Sequence, residues 1–535
     1  MLVCVGLCWS VAIIRGVARH ILIALTAFFL AGGVAPAQQT STATTATTAG
    51  DTAQKCAALS ALRLPDIRLT DVSHVAANAA APGAVHVAHC RATGVIGTEI
   101  GFSVWLPDTW NGRFLMTGGG GFVGSIPGPG VAVDQGFAVT STDTGHRSQG
   151  VDGSWALNNL ERQLNYGYLA VHRTAETAKA VVRHYYGNDA HHAYFVGCST
   201  GGRQGLMEAQ RFPADFDGVV SGAPVFDWTR VLSGGIKNAQ AAFPDPAALA
   251  KPIVTIEALR LVQSHALETC DARDGVSDGV IDDPRTCKFD LASIKSCEAG
   301  VPAADCLTKP QRDAIAKVYA PLRDASGIVY EGQPVGAEAE PGGWQAWITG
   351  PNERAFSTTG QPAVGWGFAT QFFKHFVFAD PAWDYSQYDV AASWRRDTRP
   401  WTSFMNADNP DLSAFRARRG KLLLWHGWAD PALNALATIR YYEDVVSRDP
   451  AAKEDVRLFL LPGVLHCAGG PGPDRFDPIA AIVNWVEKGE APSRLLATKR
   501  SGTTVTRTRP LCAYPAKAVY TGSGSTDDAA NFVCK

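Results

Sequence analysis

The chain has 535 residues, of which 46% are hydrophobic, and a formal net charge of −2. A chain of this length exceeds one simple hydrophobic core, so we expect two domains. The near-neutral charge argues against nucleic acid as a partner, and a mean hydropathy of −0.03 is typical of a soluble globular protein.

The N-terminal segment has the pattern of a secretory signal peptide. Arg15 and Arg19 precede an apolar stretch at residues 21–34, and Ala-Pro-Ala at 35–37 provides a small-x-small cleavage site. A membrane anchor is the alternative, because residues 2–14 are also apolar. However, the two arginines interrupt the apolar segment and leave it short for a spanning helix.

We therefore predict a signal peptide over residues 1–37 and a disordered, Thr- and Ala-rich linker over residues 38–55. Cleavage removes Cys4 and Cys8 from the twelve cysteines and leaves ten. An even number of cysteines in an exported chain indicates disulfide bonds. We expect a secreted or periplasmic protein with no stable membrane insertion after cleavage.

Four consecutive glycines at residues 118–121 follow the strand-like residues 113–116. A glycine-rich loop after an early strand can present backbone N–H groups to a developing negative charge without obstruction by side chains. Gly120 or Gly121 is the expected donor. A plain flexible loop is the alternative. A phosphate-binding loop is disfavoured because no Lys-Ser/Thr follows.

The sequence Gly-Cys-Ser-Thr-Gly at residues 197–201 follows a short apolar run at 193–196 and precedes a predicted helix at 202–210. A strand–turn–helix context of this kind defines a nucleophile elbow, which exposes Ser199 at a sharp turn. The N–H group of Thr200 would then face the oxyanion. The alternative is a glycine-rich turn with a solvated serine.

A long segment, residues 225–409, separates the elbow from the next strand-like segment of the core. It is too long for one helix and strand, so we predict an inserted lid domain between core segments 56–224 and 410–535. Six tryptophans of this insert suit a pocket for a flat aromatic group, or else form ordinary lid core: Trp228, Trp344, Trp347, Trp366, Trp383 and Trp394.

Residues 270–282 of the insert form an acidic loop punctuated by glycines. Asp271, Asp274 and Asp278 supply three carboxylates at intervals of three and four residues, which suits a hard cation such as Ca²⁺. The spacing is not that of an EF-hand. A solvated acidic turn is the alternative.

A serine nucleophile needs a base and an acid that orients the base, and in α/β-hydrolases the acid precedes the base in the chain. Asp430 follows the strand-like residues 421–425, and His466 follows the strand-like residues 456–461. Ligand-binding residues in such sheets lie just beyond the strand ends. We therefore predict that Ser199, Asp430 and His466 form a triad.

Three rivals are less well placed. Asp444 and Asp455 fall in or after a polar helical stretch, and His426 precedes the acid and lies too close to its own strand. We expect His426 to have a structural or supporting role.

Cysteines flank both the predicted nucleophile and the predicted base. Cys198 directly precedes Ser199, and Cys467 directly follows His466. If the serine and the histidine touch, the cysteines come close enough for a disulfide, which requires Cα atoms about 4.4–6.8 Å apart. Cys198 as a thiol nucleophile is the weaker alternative, since Ser199 holds the central elbow position.

The combination of Cys198-Ser199, Asp430 and His466-Cys467 resembles the tannase and feruloyl esterase family of α/β-hydrolases, which includes mono(2-hydroxyethyl) terephthalate hydrolase. The resemblance covers nearly all of the chain after the linker. It implies an α/β-hydrolase fold with a large inserted lid, a Ser-His-Asp triad that forms an acyl-enzyme, and no organic cofactor.

The resemblance also implies a structural Ca²⁺ in the lid and a set of disulfides. The implied metal ligands are the side chains of Asp271, Asp274 and Asp278 and the carbonyl groups of Val276 and Val280. Locality and the resemblance together favour five disulfides: Cys56–Cys90, Cys198–Cys467, Cys270–Cys287, Cys297–Cys306 and Cys512–Cys534.

The expected partner is a small-molecule ester of an aromatic acid such as ferulate, gallate or terephthalate. Residues 200–204 resemble the feruloyl esterase and tannase branches slightly more than the terephthalate branch, and Arg354 and Lys374 are candidates to pair with a free carboxylate. Alternatives are a terephthalate monoester hydrolase or a hydrolase-fold binding protein without activity. A thiol–disulfide oxidoreductase is disfavoured because Cys198 is not part of a CxxC motif.

Overall fold

A computed structural model of the protein describes residues 49–79, 85–298, 305–350 and 360–535. The predicted signal peptide, residues 1–37, lies outside the described residues, as does the linker up to residue 48. The described residues belong to one compact unit.

The C-terminal part of the linker prediction is wrong, because residues 49–55 are helical. They belong to α1 (Ala49–Ala58). The Thr52 hydroxyl donates to the Asp108 carboxylate at 3.0 Å, and Cys56 at the other end of α1 is disulfide-bonded. These two attachments to the sheet order a segment whose composition alone predicts disorder.

The α-helices and strands alternate along much of the chain. After α1, the described helices are α2 (Leu160–Leu164), α3 (Ala170–Tyr186), α4 (Thr200–Arg211), α5 (Trp228–Ala242), α6 (Ile256–Cys270), α7 (Lys309–Tyr319), α8 (Val364–Phe372), α9 (Val390–Met405), α10 (Ser413–Ala417), α11 (Ala435–Arg448) and α12 (Pro478–Lys488). The described strands are β1 (Ile67–Val75), β2 (His89–Ile96), β3 (Ile100–Pro107), β4 (Arg113–Thr117), β5 (Ala138–Thr142), β6 (His192–Cys198), β7 (Gly218–Gly222), β8 (Lys295–Ser296), β9 (Cys306–Leu307), β10 (Leu322–Asp324), β11 (Gly327–Tyr330), β12 (Lys421–Gly427), β13 (Val456–Leu461), β14 (Arg494–Ser501), β15 (Thr504–Cys512), β16 (Ala518–Tyr520) and β17 (Phe532–Cys534).

One nine-stranded sheet forms the centre, in the order β1-β2-β3-β5-β4-β6-β7-β12-β13. The pairs among β1, β2, β3 and β5 are antiparallel, and the six strands from β5 to β13 in this order run parallel. Every residue of β3 and β7 is buried, as expected for strands covered by other elements on both faces. This architecture confirms the predicted α/β class.

The parallel strands β6, β12 and β13 end at the same edge of the sheet. Ser199, Asp430 and His466 each lie just beyond one of these ends. The predicted strands at 193–196, 421–425 and 456–461 are therefore correct, and the register of the sheet brings the three loops to one place.

The predicted insert, residues 225–409, contains helices α5 to α9 and the short strands β8 to β11. A separate apolar cluster includes Val254, Leu259, Ile315 and Trp344 from this segment. None of the helices in the described parts of the chain combines the length and apolarity needed to cross a membrane.

Candidate active site

Ser199 occupies a strained turn between β6 and α4. Its φ of 63° and ψ of −123° lie in a region that costs a residue with a side chain about 1–3 kcal/mol. The Ser199 N–H donates to Gly222 O at 2.9 Å, and Ser199 O accepts from Arg203 N at 3.0 Å. A side chain at Gly202 would place its Cβ 2.4 Å from Gly222 O, so this position must be glycine. The turn is a nucleophile elbow.

Asp430 lies after β12 and is fully buried. Its Oδ1 atom accepts from the N–H groups of Ala432 at 2.8 Å and Leu433 at 2.9 Å. Its Oδ2 atom accepts from His466 Nδ1 at 2.8 Å. The carboxylate is therefore fixed on both oxygens and orients the imidazole.

His426 packs beside the Asp430 carboxylate inside the protein. It is fully buried, its Nε2 atom donates to Leu433 O at 3.1 Å and lies 3.3 Å from Asp430 Oδ2, and its Nδ1 atom lies 2.8 Å from Thr438 Oγ1. Burial by itself would raise the pKa of Asp430, but the charges of His466 and His426 and their hydrogen bonds outweigh it and hold the pKa below its usual value. The supporting position predicted for His426 is the one it occupies.

His466 follows β13 and shares one cavity with Ser199. Because Nδ1 donates to Asp430, Nε2 is the nitrogen available to accept a proton. The ring of Trp347 packs edge-on against the imidazole, with centroids 4.9 Å apart. A side chain at Gly427 would place its Cβ 2.3 Å from Val464 O, so glycine is needed where the two loops approach each other.

The Cys198–Cys467 disulfide joins the elbow to the histidine loop, with Cα atoms 6.0 Å apart. It links residues 269 positions apart in the chain, one on either side of the insert. The other four pairs favoured by locality and the resemblance are also bonded: Cys56–Cys90, Cys270–Cys287, Cys297–Cys306 and Cys512–Cys534.

The glycine loop after β4 divides into two parts. The N–H of Gly118 donates to Val196 O at 2.9 Å, and that of Gly119 donates to Gln204 Oε1 at 3.0 Å. These two amides are thus committed to the strand and helix that flank the elbow.

Gly121 reaches the cavity, and its neighbour Gly120 is exposed. The φ of Gly121 is +57°, and its carbonyl oxygen accepts from Thr200 Oγ1 and from the Tyr166 hydroxyl, both at 2.8 Å. The two hydroxyl groups fix this peptide beside Ser199.

Sequence reasoning did not assign a role to Tyr166 or to the side chain of Arg203. The Arg203 guanidinium is fully buried and donates to the carbonyl oxygens of Tyr166, Gly167 and Met405 at 2.9–3.1 Å. Through these hydrogen bonds, Arg203 connects helix α4 to the π-helical turn that contains Tyr166. The only feature of the sequence that could have pointed to the role of Arg203 is its position next to the elbow.

The cavity is mainly apolar. Three of the six tryptophans of the insert line it, namely Trp228, Trp347 and Trp366. Trp344 and Trp394 are buried elsewhere, and Trp383 stacks on Phe373. Lys374 does not line the described cavity, and Arg354 lies outside the described residues.

The acidic loop folds around Asp271. Its carboxylate accepts from the N–H groups of Asp278, Gly279 and Val280 at 3.0–3.3 Å. The Asp278 carboxylate also pairs with Arg509 of β15. Burial raises the pKa of Asp274, and burial together with the Asp274 charge raises the pKa of Asp282 to about 6.

In the described ranges, one group of side chains brings three metal-ligating atoms within 4.8 Å of one another, and it lies outside the acidic loop: His172, Glu208 and Asp215. His172 Nδ1 is 2.6 Å from Asp215 Oδ2, and the Lys179 ammonium donates to Asp215 O. The Lys179 ammonium places positive charge beside the group, and we assign no metal to it.

The sheet, the elbow and the strand-end acid and histidine have the arrangement of an α/β-hydrolase. The family model for tannase and feruloyl esterase matches residues 84–535, and the chain belongs to this family. The chain is 38% identical to an uncharacterized esterase of Xanthomonas campestris pv. campestris, over 90% of this chain and 91% of that protein. It is 35% identical to the mono(2-hydroxyethyl) terephthalate hydrolase of Piscinibacter sakaiensis, over 86% and 87% of the two chains. The crystal structure of feruloyl esterase B from Aspergillus oryzae superposes with a TM-score of 0.79 at 28% identity, over 90% of this chain and all of that one.

Proposed function

We propose that the protein is a secreted serine carboxylesterase that hydrolyses esters of aromatic acids through Ser199, His466 and Asp430. The observation that carries the proposal is the Asp430–His466 hydrogen bond at 2.8 Å in the cavity that also contains Ser199. A fixed acid, an oriented base and a serine that lines the same cavity are the parts that nucleophilic ester hydrolysis requires.

His466 Nε2 takes the proton of the Ser199 hydroxyl as Oγ attacks the ester carbonyl carbon. Asp430 holds the imidazole in the Nδ1–H tautomer and stabilises the imidazolium that forms. His466 then returns the proton to the leaving alcohol. In the second half, His466 activates water, which attacks the acyl-enzyme and releases the acid and the free Ser199 hydroxyl.

The backbone N–H groups of Thr200 and Gly121 are our candidates for the oxyanion donors. Thr200 is the first residue of α4, so its N–H lies at the positive end of the helix. Gly121 lines the cavity, whereas Gly118 and Gly119 already donate elsewhere and Gly120 is exposed. The sequence did not distinguish between Gly120 and Gly121 as the oxyanion donor, and these observations favour Gly121.

Hydrolysis of a panel of esters tests the function. The panel contains methyl ferulate, methyl gallate, mono(2-hydroxyethyl) terephthalate and p-nitrophenyl acetate. We expect cleavage of an aromatic-acid ester, and a loss of at least about 10⁴-fold in kcat for Ser199→Ala with an unchanged melting temperature. Labelling by a serine-directed fluorophosphonate should disappear in the same variant. A folded protein that cleaves no ester and takes no label would support the non-catalytic alternative.

A structural Ca²⁺ in the acidic loop is part of the proposal. The side chains of Asp271, Asp274 and Asp278 and the carbonyl groups of Val276 and Val280 form an oxygen-only set, which fits Ca²⁺ better than a transition metal. Bound there, the ion would order the loop and take no part in the reaction.

Chelation tests the calcium proposal without an activity assay. We expect EGTA to lower the melting temperature by at least about 4 °C and added Ca²⁺ to restore it. The Asp274→Asn variant should lose this response, and Asp290→Asn, an exposed carboxylate outside the loop, should keep it. An unchanged melting temperature after chelation would contradict the proposal.

Secretion is supported by the five disulfides, because such bonds persist in oxidising compartments. Sequencing the N-terminus of the exported protein tests cleavage after Ala37. An intact N-terminus would contradict the signal peptide.

A further inference from the structure

We propose that Asn238 and Gln333, the acceptor pair, recognise the substrate by accepting hydrogen bonds from phenolic hydroxyl groups on its acyl ring. Both residues line the cavity that contains Ser199 and His466. The proposal rests on the function proposed above and specifies the class of acid that the cavity accepts.

Gln333 presents a fixed acceptor. Its side chain is 6% exposed, and its Nε2 atom donates to Pro431 O at 3.3 Å. This hydrogen bond fixes the amide orientation, with Nε2 towards Pro431 O and Oε1 on the opposite side. The Oε1 atom is covered and has no hydrogen-bond partner among the described residues.

Asn238 presents the second acceptor from helix α5. Its Oδ1 atom is also covered and lacks a partner in the described parts of the chain. The preceding residue, Lys237, donates to Val318 O at 3.3 Å, and the same oxygen accepts from Gln333 N at 3.2 Å. The end of α7 thus contacts the backbone of Gln333 and the side chain of Lys237, the residue that precedes Asn238.

A covered acceptor without a donor costs free energy, which a ligand donor recovers on binding. The indole N–H of Trp228, which lines the same cavity, is likewise covered and without a partner within the described ranges. A hydroxyl group both donates and accepts, so it can serve an amide oxygen and an indole N–H.

A carboxylate on the acyl ring lacks the proton that the acceptor pair requires. It would face two amide oxygens with like partial charge. Among the described lining residues there is no Lys or Arg whose cation could pair with such a carboxylate. The acceptor pair therefore favours a hydroxylated acyl ring over one that bears a second carboxylate.

Binding to the full-length Ser199→Ala protein tests the proposal independently of turnover. The ligands are methyl 4-hydroxycinnamate, methyl cinnamate and methyl 4-carboxycinnamate, followed by calorimetry. We expect the hydroxylated ester to bind at least about tenfold more tightly than the other two. Adding Asn238→Leu or Gln333→Leu should reduce this ratio to about twofold or less and leave the affinity for methyl cinnamate equal or higher.

Gln240→Leu is the matched control, because this amide on the same helix donates to Tyr385 O and Tyr388 O and does not line the cavity. It should keep the preference for the hydroxylated ester. An unchanged preference in both Asn238→Leu and Gln333→Leu would overturn the proposal, since water would then satisfy the two oxygens. Tighter binding of the carboxylated ester would overturn it as well.

Hydrolysis by the wild-type protein separates the two proposals. If the preference in binding holds and no ester is cleaved, the esterase proposal fails and the acceptor pair stands. If p-nitrophenyl acetate is cleaved, the three cinnamate esters are cleaved at equal rates, and the binding ratio is near one, the acceptor pair fails and the esterase proposal stands.

Discussion

The cavity has two walls that differ in how their polar groups are satisfied. On the sheet side, Asp430 has hydrogen-bond partners on both carboxylate oxygens, and the Cys198–Cys467 disulfide joins the elbow to the histidine loop. On the insert side, Asn238 and Gln333 each leave a covered oxygen without a partner in the described residues.

The two walls therefore meet two different requirements, namely catalysis of ester cleavage and selection of the acyl ring. Groups that act on the ester bond meet the same chemistry in every substrate, so the chain can fix them in advance. Groups that select an acyl ring gain specificity when only the right ligand completes their hydrogen bonds. Changes to the sheet side should therefore affect all substrates alike, and changes to the insert side should alter the ratio between substrates.

The largest expected effect comes from Asp430→Asn. The amide cannot hold His466 in the required tautomer, so we expect kcat to fall by about 10³–10⁴-fold for every ester that the protein cleaves. Steady-state kinetics with an aromatic and a short-chain ester measure this. Asp444→Asn, at an exposed position on α11, should change nothing. A fall in kcat for only one of the two esters would contradict the division of roles between the two walls.

Removal of the Cys198–Cys467 disulfide should have the next largest effect. The bond closes a very long loop, and we expect Cys198→Ala/Cys467→Ala to lose up to about 5 kcal/mol of unfolding free energy. It should also lower kcat for all esters, because the elbow and the histidine loop are no longer joined.

The Cys56–Cys90 bond is the matched control. It spans only 34 residues and lies away from the cavity. Cys56→Ala/Cys90→Ala should lower the melting temperature and leave kcat unchanged. Equal kinetic effects of the two double variants would show that the position of the first disulfide is unimportant.

Glu487→Gln should give the smallest effect. Because Glu487 does not line the cavity, this variant tests the stability of the fold independently of substrate binding and catalysis. The side-chain hydrogen bonds from Arg113, at 2.6 and 2.7 Å, are the main reason that the pKa of Glu487 is lowered to about 2. We expect the variant to lose about 1–2 kcal/mol at neutral pH, after allowance for partial solvent screening.

The pH dependence of this loss has a defined sign. A carboxyl whose pKa is lower in the folded state stabilises the fold above its unfolded pKa of about 4.3 and loses that contribution as the pH falls towards 2. The difference in unfolding free energy between wild type and Glu487→Gln should be constant above pH 5 and shrink below pH 4. Urea denaturation at several pH values measures it, and a difference that grows in acid would contradict the assignment.

The three residues that we propose to act on the ester each have a local signal in the sequence. Ser199 lies in an elbow motif, and Asp430 and His466 follow apolar strands whose ends must meet at one edge of a parallel sheet. The α/β-hydrolase fold was expected from the family resemblance that these residues carry, whereas the order of the strands in the sheet was not predicted.

Apart from His426, the supporting and selecting residues could not be predicted, because their roles depend on contacts between distant segments. Tyr166 reaches Gly121, and Gln333 reaches Pro431, across 45 and 98 positions of sequence. Helix α1 was missed for the same reason, since a hydrogen bond and a disulfide to later residues order it. A single sequence gives no local signal for such pairings.

The separation of Ser199 from His466 along the chain has a consequence for biosynthesis. A polypeptide is made from its N-terminus, so the elbow emerges long before the insert, the acid and the base. A nascent or truncated chain that stops before Asp430 carries the serine without the residues that would activate it. In the proposed mechanism, hydrolytic competence therefore arrives with the last stretch of translation, when the histidine loop docks against strands made much earlier.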